Sequence, residues 1–492
     1  MLNHWQSDEW KKSMRLKYDF NHMMEEYIDK TAQAAKFRNK VGAVSLADIE
    51  ALTPQIEKAR KSLAGKWGRP SRMMAWTKLP HNQKTVVEDI LATARRVRDS
   101  FDNFVVLGIG GSALGPIAVQ QALNHLHYND LDDDRRGGPR LFVEDNIDPE
   151  RMTALLDVID LKKTCFNVIT KSGSTSETMS QLLIVFDELT KRLGAEHLSR
   201  HIIATTDRKK GYLIKIAKQF KLKTFVIPDG VGGRFSELCP VGLLPAAVCN
   251  IDIEELLAGA AYMDELCQET DLWKNPGWMS GVLAYITITQ KDKNLQIVMP
   301  YADSLKYMAD WYAQLWGESL GKKFTLRGKT VHVGQTPVKS LGVTDQHSQV
   351  QLYTEGPFDK VITFLGVENY RNEYAIPHGF EEIPAVSFLG GHTLNELIQS
   401  ERAATEYALV KSGKLNQTVL LPEVNAFTIG QLLYFFEVQT AVCGELLGID
   451  AFDQPGVEEG KNATYALLGR PGFDAKRAEL AARPPKKDTY IL

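Results

Sequence analysis

Five short apolar runs between residues 104 and 228, "FVVLGI", "RLFVED", "FNVIT", "HIIATT" and "TFVIP", constrain the chain more than any other feature. Each is separated from the next by enough residues for a helix and its loops, which is the rhythm of a parallel, doubly wound sheet. A helical interlude follows, "IEELLAGAAYMDELCQ" and "SGVLAYITITQ". The rhythm then returns as "LQIVMP", "TVHVGQ", "KVITFLG" and "TVLLP", and a long stretch, "TIGQLLYFFEVQTAVCGELLG", reads as a helix. The expectation is two α/β domains of similar build. A helical and connecting segment occupies residues 1–100, the first α/β domain 101–235, a helical connection 236–285, the second domain 286–448, and a C-terminal helix and tail 449–492.

A chain of 492 residues exceeds the usual size of one core, so more than one domain is expected. Its 44% apolar and 24% charged composition and net charge of -3 give no reason to expect a nucleic-acid partner. The start, "MLNHWQSDEW", lacks a basic region followed by an apolar one, and no apolar run approaches the roughly 20 residues that span a bilayer. A soluble cytoplasmic protein is expected. Cys165, Cys239, Cys249, Cys267 and Cys443 are odd in number and scattered, which argues for idle thiols and against disulfides or a zinc site.

One turn stands out chemically. "TKSGSTSET", residues 170–178, joins a strand to a helix, and six of its nine side chains carry hydroxyls. A helix N-terminus presents unpaired N–H groups and a partial positive charge, hydroxyls add neutral donors, and Gly173 allows close approach. Capping needs one or two hydroxyls, so six favour a phosphate. The earlier turn "LGIGGSALG" satisfies G-x-G-x-x-A through Gly108, Gly110 and Ala113, but the acidic residue a dinucleotide needs about 20 positions on is missing from a strand end. Two such turns in one sheet fit a small phosphorylated substrate better than NAD.

The second domain offers acid–base chemistry. "ADSLKYMADWYAQLWGESLGKK" spaces Leu305, Met308, Tyr312, Leu315 and Trp316 as a helix stripe, with Gln314 and Glu318 four apart on one face. His347 lies in the polar loop "GVTDQHSQVQLYTEGP", leading into a short alternating run, and suits proton transfer as well as an ordinary surface position. Arg234 follows two glycines in "DGVGGRFSEL". In "FDQPGVEEGKNATYALLG", Gln454 reads as a cap before Pro455, and Lys461 lies about two turns further on.

"LGIGGSALGP", "TKSGSTSET", "GVGGRFSELCPVGLLP", "AQLWGESLGK", "TDQHSQVQL" and "FDQPGVEEGK", in this order from about residue 107 to 461, resemble the glucose-6-phosphate isomerase family. The resemblance implies two sugar isomerase (SIS-type) α/β domains and interconversion of glucose 6-phosphate and fructose 6-phosphate through a cis-enediolate, in glycolysis and gluconeogenesis. It implies a phosphate cradle of Gly111, Ser112, Thr170, Lys171, Ser172 and Thr175, with Ser174 and Ser176 in a part of the loop that varies. Glu318 would move the proton between C1 and C2, Arg234 would stabilise the enediolate, and His347 and Lys461 would assist ring opening. Gln314 and Gln454 would bind hydroxyls and phosphate.

No cofactor or metal is implied. A homodimer is, in which His347 serves the other subunit's Glu318. Alternatives are a dual phosphoglucose/phosphomannose isomerase, a non-catalytic sugar-phosphate-binding regulator, and an NAD-dependent dehydrogenase. Glu237 and Cys239 depart from the family's usual aliphatic and small hydroxylated residues; a carboxylate three residues from Arg234 could pair with it and weaken its hold on the intermediate, but Glu237 is expected to turn away. Leu320, where animal-type motifs have Asn, points to a bacterial type.

Overall fold

The computed structural model describes residues 3–31 and 34–492. Its strands are β1 (Lys17–Asp19), β2 (Asn103–Leu107), β3 (Arg140–Glu144), β4 (Thr164–Ile169), β5 (Ile202–Thr206), β6 (Lys223–Val226), β7 (Leu295–Pro300), β8 (Lys322–Phe324), β9 (Thr330–Val333), β10 (Thr336–Lys339), β11 (Lys360–Asn369) and β12 (Asn416–Glu423). The five apolar runs of the first series are β2 to β6, and they form one parallel sheet in the order β3-β2-β4-β5-β6. Every residue of β2, β4 and β5 is buried, which explains why these strands read as continuous apolar runs and not as alternating ones.

The order reverses on either side of β2. The turns leaving β2 and β4 therefore open side by side at the carboxyl ends of adjacent strands, where open α/β sheets bind ligands. These two turns are the glycine-rich 108–113 and the hydroxyl-rich 170–175.

The second sheet runs β1-β12-β11-β7-β10, parallel except for β1, and corrects two expectations. "TVHVGQ" supplies β9, but β9 pairs with β8 in a separate antiparallel ribbon, and the sheet position belongs to β10, "TPVK". Pro337 hid β10 from a propensity reading. It is tolerated because β10 is an edge strand, where a missing N–H breaks no ladder. The half-exposed alternation of β9 suits a two-stranded ribbon over water. The N-terminal segment is also not purely helical and connecting: β1 covers the β12 edge, with the Tyr18 hydroxyl donating to Gln417 at 2.5 Å.

Helix Ala426–Leu447 is apolar all round because it is buried on nearly every side, packed against helices Ile253–Cys267 and Pro276–Gln290. The N-terminal segment reaches this core as well. Trp76, fully buried, stacks on Phe235 with ring centroids 5.0 Å apart and so supports the turn that carries Arg234. Among the described residues, no helix is long and apolar enough to cross a membrane.

Candidate active site

Two glycine turns meet backbone to backbone. A Cβ on Gly111 would stand 2.2 Å from the Gly233 carbonyl carbon and 2.6 Å from the Arg234 nitrogen, so neither a side chain nor a wider loop fits there. This contact gives the "GIGGSA" glycines a role that needs no dinucleotide: they let the β2 turn lie directly on the turn Gly233–Phe235.

Arg234 is 4% exposed, and each of its five donors has an acceptor. Nε donates to the Ser319 hydroxyl at 2.7 Å. Nη1 donates to Glu318 Oε2 at 3.2 Å and Gln454 Oε1 at 3.0 Å. Nη2 donates to the carbonyls of Ala451 at 2.7 Å and Asp453 at 3.0 Å. Burial pulls its pKa down, opposed by the charges of Glu318, Asp453 and Asp450. The guanidinium is thus a fixed, largely desolvated cation at the junction of three chain segments.

Glu318 comes from helix Lys306–Leu320. Its stripe of Met308, Tyr312, Leu315 and Trp316 is buried, which turns Gln314 and Glu318 toward the glycine turns. Gln314 Nε2 donates to Glu318 Oε1 at 3.3 Å and lies 2.8 Å from where a Cβ of Gly110 would be. Glu318 keeps about a third of its side chain exposed beside a cation that is 3% exposed. A carboxylate so held is accessible to a ligand while its charge is fixed in place. Below it, Lys322 donates to the carbonyls of Glu318 at 2.6 Å, Ser319 at 3.0 Å and Asp453 at 3.0 Å. Burial lowers the Lys322 pKa, and neighbouring Arg234 lowers it further.

The 170–175 turn has the donors but little capping. Thr175 is the N-cap of helix Ser176–Leu193, yet its side chain makes no cap bond and instead faces the Thr170 hydroxyl at 3.2 Å. The Ser172 hydroxyl pairs with that of Ser174 at 2.8 Å, and Gly173 takes the positive φ of 65° that lets the turn close. The Ser112 hydroxyl has no hydrogen-bond partner among the described residues. Lys171 directs its ammonium to the carbonyls of Val231 at 2.9 Å and Pro228 at 3.4 Å, which ties this turn to the loop leading into Arg234.

The structure therefore brings together Gly111, Arg234, Gln314, Glu318 and Gln454, with Ser112 in the same turn as Gly111 and Thr170, Lys171, Ser172 and Thr175 on the adjacent strand end. His347 and Lys461 are not joined to that group by any bond. His347 is exposed at the end of the turn Thr344–His347, its imidazole without a hydrogen bond or ion pair to any described residue. The run after it is a helix, Val350–Glu355, and not an alternating strand. Lys461 bonds Glu458 of its own helix at 2.8 Å. Gln454 and Lys461 do not share one helix: Pro455–Val457 is a 3-10 turn, the helix is Glu458–Leu467, and Gln454 faces Arg234 without capping.

Sequence reasoning missed Ser319, Lys322 and the carbonyls of Ala451 and Asp453. Ser319 and Lys322 sit inside the quoted "GESLGK", and their signal was their place one residue and four residues after Glu318. Glu237 does not pair with Arg234. It is buried with neither carboxyl oxygen hydrogen-bonded, wedged where a Cβ of Gly115 would lie 2.0 Å from its Oε2 and one of Gly242 2.2 Å from its Cδ. Desolvation raises its pKa well above the usual carboxylate range.

A sheet crevice lined with hydroxyls, beside a carboxylate and a buried guanidinium, defines a protein of the sugar-phosphate-handling α/β class. The model of the phosphoglucose isomerase family matches residues 71–479, and the chain belongs to that family. It is 54% identical over 479 residues to a glucose-6-phosphate isomerase of Carboxydothermus hydrogenoformans, a match covering 97% of this chain and all of the relative. One from Rubrobacter xylanophilus is 43% identical, with 88% of this chain and 96% of the relative covered. Among solved structures, a protein of Thermus thermophilus described as hypothetical superposes with a TM-score of 0.80 at 35% identity, covering 92% of this chain and 100% of the other. A glucose-6-phosphate isomerase of Chlamydia trachomatis shares the fold at a TM-score of 0.70 and 23% identity, over 83% and 77% of the two chains.

Proposed function

We infer that the chain is an aldose–ketose isomerase interconverting glucose 6-phosphate and fructose 6-phosphate. The observation that carries this reading is the Glu318 carboxylate, partly open to a ligand and fixed by Gln314 on one oxygen and Arg234 on the other. The reaction takes a proton from carbon beside a carbonyl and returns it to the neighbouring carbon. One carboxylate over both carbons does this, and a fixed cation lowers the energy of the oxyanion formed between.

In the aldose-to-ketose direction the phosphate sits in the 170–175 turn with Ser112, and Lys461 and His347 move protons between the ring oxygen and O1 to open the pyranose. Glu318 then removes the C2 proton, and the C–H electrons form the C1=C2 bond as O1 takes up negative charge opposite Arg234. The proton returns to C1, the C2 hydroxyl gives up its hydrogen to become the ketone, and O1 regains a proton. Product and substrate are isomers, so no oxidant or reductant enters.

The reading includes a homodimer in which His347 completes the other subunit's site. Its lack of a partner among the described residues of its own chain supports this, as does a cleft of about 920 Å³ bordered by Leu126, Tyr370, Tyr374 and Leu394. Exposed Phe380 and Phe388 belong to the same stretch of chain as Tyr374 and Leu394, and apolar surface of this kind is usually covered by a partner. Five buried cysteines outside any disulfide agree with a cytoplasmic setting.

Proton NMR of fructose 6-phosphate in D₂O tests the chemistry. Deuterium at C2 of the glucose 6-phosphate formed, lost together with turnover in Glu318→Gln, is the expected result. Binding without conversion or exchange by the wild-type protein refutes it.

A further inference from the structure

Residues 455–492, which carry Lys461, are almost detached from the rest of the molecule. Their hydrogen bonds and ion pairs run among themselves: Lys461 to Glu458, Lys476 to Glu459 and Glu479, and Arg477 to the Ala466 carbonyl. Residues 453–461 are all exposed, and Ala466 is the one buried residue of helix Glu458–Leu467. Among the described residues, a single hydrogen bond joins this arm to residues 3–454: the Tyr465 hydroxyl donates to the Ser174 carbonyl at 3.1 Å. The Tyr465 ring also helps line a small, mainly apolar depression with Met179, Tyr212 and Leu468, and Arg470 stacks over it at 4.3 Å.

The position of that bond matters. Ser174 lies inside the hydroxyl turn, whose side chains now bond one another as Thr170 with Thr175 and Ser172 with Ser174. An anion accepting from all four hydroxyls takes over the protons that close these pairs and so repositions the side chains of the turn that presents the Ser174 carbonyl. Resting on the function proposed above, we propose that Tyr465 is a positioning residue that couples phosphate in the 170–175 turn to the placement of Lys461. Phosphate is remote from the reacting carbons, and its binding energy accelerates the reaction only if it organises the groups that act there. Tyr465 supplies that link: one turn of helix separates it from Lys461, so a shift of the Ser174 carbonyl is passed to the ammonium about 6 Å away along the helix axis.

The test is hydrogen exchange of the full-length protein with and without inorganic phosphate, on wild type and Tyr465→Phe, which keeps the ring and removes the donor. Phosphate is expected to slow exchange in residues 170–178 and 458–467 of the wild type, but only in 170–178 of the variant. Unchanged exchange in helix 426–447 checks the variant's fold. On glucose 6-phosphate the variant is expected to lose about two- to tenfold in kcat, the worth of one neutral hydrogen bond, with KM within about twofold. Equal protection of 458–467 in both proteins, or protection of 170–178 alone in the wild type, overturns the coupling and leaves the phosphate site intact. No protection of 170–178 in the wild type sinks the phosphate site itself and the coupling with it.

Discussion

Replacing Glu237 by Val is expected to stabilise the protein, and by an amount that depends on pH. Both carboxyl oxygens are buried without a hydrogen bond, a state that costs about 1–3 kcal/mol for each unsatisfied group relative to water. Desolvation raises the folded-state pKa well above the carboxylate range, and Glu437, buried nearby with an unbonded oxygen of its own, is raised by its burial and then by Glu237. The sign follows from proton counting. Above the unfolded carboxylate pKa of about 4.3, the folded state keeps a proton that the unfolded state has lost. Stability therefore falls as pH rises, by about 1.4 kcal/mol per unit, until the folded pKa is passed.

Val has nearly the volume of Glu and no proton to lose, so it removes both the unpaired oxygens of Glu237 and Glu237's share of the slope, leaving that of Glu437. The variant's advantage should therefore grow as pH rises from 5, by up to about 1.4 kcal/mol per unit and so by at most about 2–3 kcal/mol by pH 7. With an unfolding entropy of about 2 cal/mol/K per residue, that is a widening of about 2–3 °C in Tm for a chain of this size. Thermal unfolding at pH 5, 6 and 7 measures it. Glu237→Gln is the control: it removes Glu237's share of the slope but keeps unpaired polar atoms, so it should track the pH profile of Val at a lower Tm. A variant–wild-type difference that is the same at pH 5 and pH 7, or a Val variant less stable than wild type at pH 7, would refute the argument.

Other substitutions test the site. Gly111→Ala places a methyl group into the Gly233 carbonyl, so the two turns must part; kcat should fall at least tenfold and stability by about 1–3 kcal/mol or more, read by kinetics and thermal unfolding. Arg234→Lys keeps the charge but not the five-donor fork, and steady-state kinetics should give a kcat loss of about 100-fold or more. Thr175→Ala should raise KM for the sugar phosphate about three- to tenfold and leave Tm within about 1 °C, because Thr175 makes no cap bond to lose. Mixing His347→Ala with Glu318→Gln subunits should restore about a quarter of wild-type activity if the histidine acts across a two-fold dimer, and none if each chain uses its own.

The first sheet was legible because its information is local. Fully buried strands need continuous apolar runs, and β2 to β6 supply them. β10 and β1 were missed because their pairing is decided elsewhere. "TPVK" is a strand only because β7 offers an edge to a segment that carries a proline, and "KYD" only because β12 offers another. Neither stretch carries a periodicity that could have announced it.

The same division runs through the site. Arg234 and Glu318 could be singled out as candidates because a rigid fork of donors and a carboxylate on a helix face are residue types that few positions demand, and Gly111 was reached through the family resemblance of its motif. Ser319, Lys322 and the carbonyls of Ala451 and Asp453 left no such mark, because what they contribute is position: Ser319 and the two carbonyls hold Arg234 through contacts 85 and 217–219 residues apart in the chain, and Lys322 ties the carbonyls of Glu318, Ser319 and Asp453 together. The reading of Gln454 and Lys461 failed for a related reason. Counting seven residues assumed one continuous helix, whereas the Pro455–Val457 turn breaks it and leaves Lys461 on an arm that, among the described residues, is hydrogen-bonded to the body only at the 170–175 turn. A residue's type was readable from the sequence; the contact that joins its helix to the body, from Tyr465 to the Ser174 carbonyl 291 residues away, is one that no local pattern encodes.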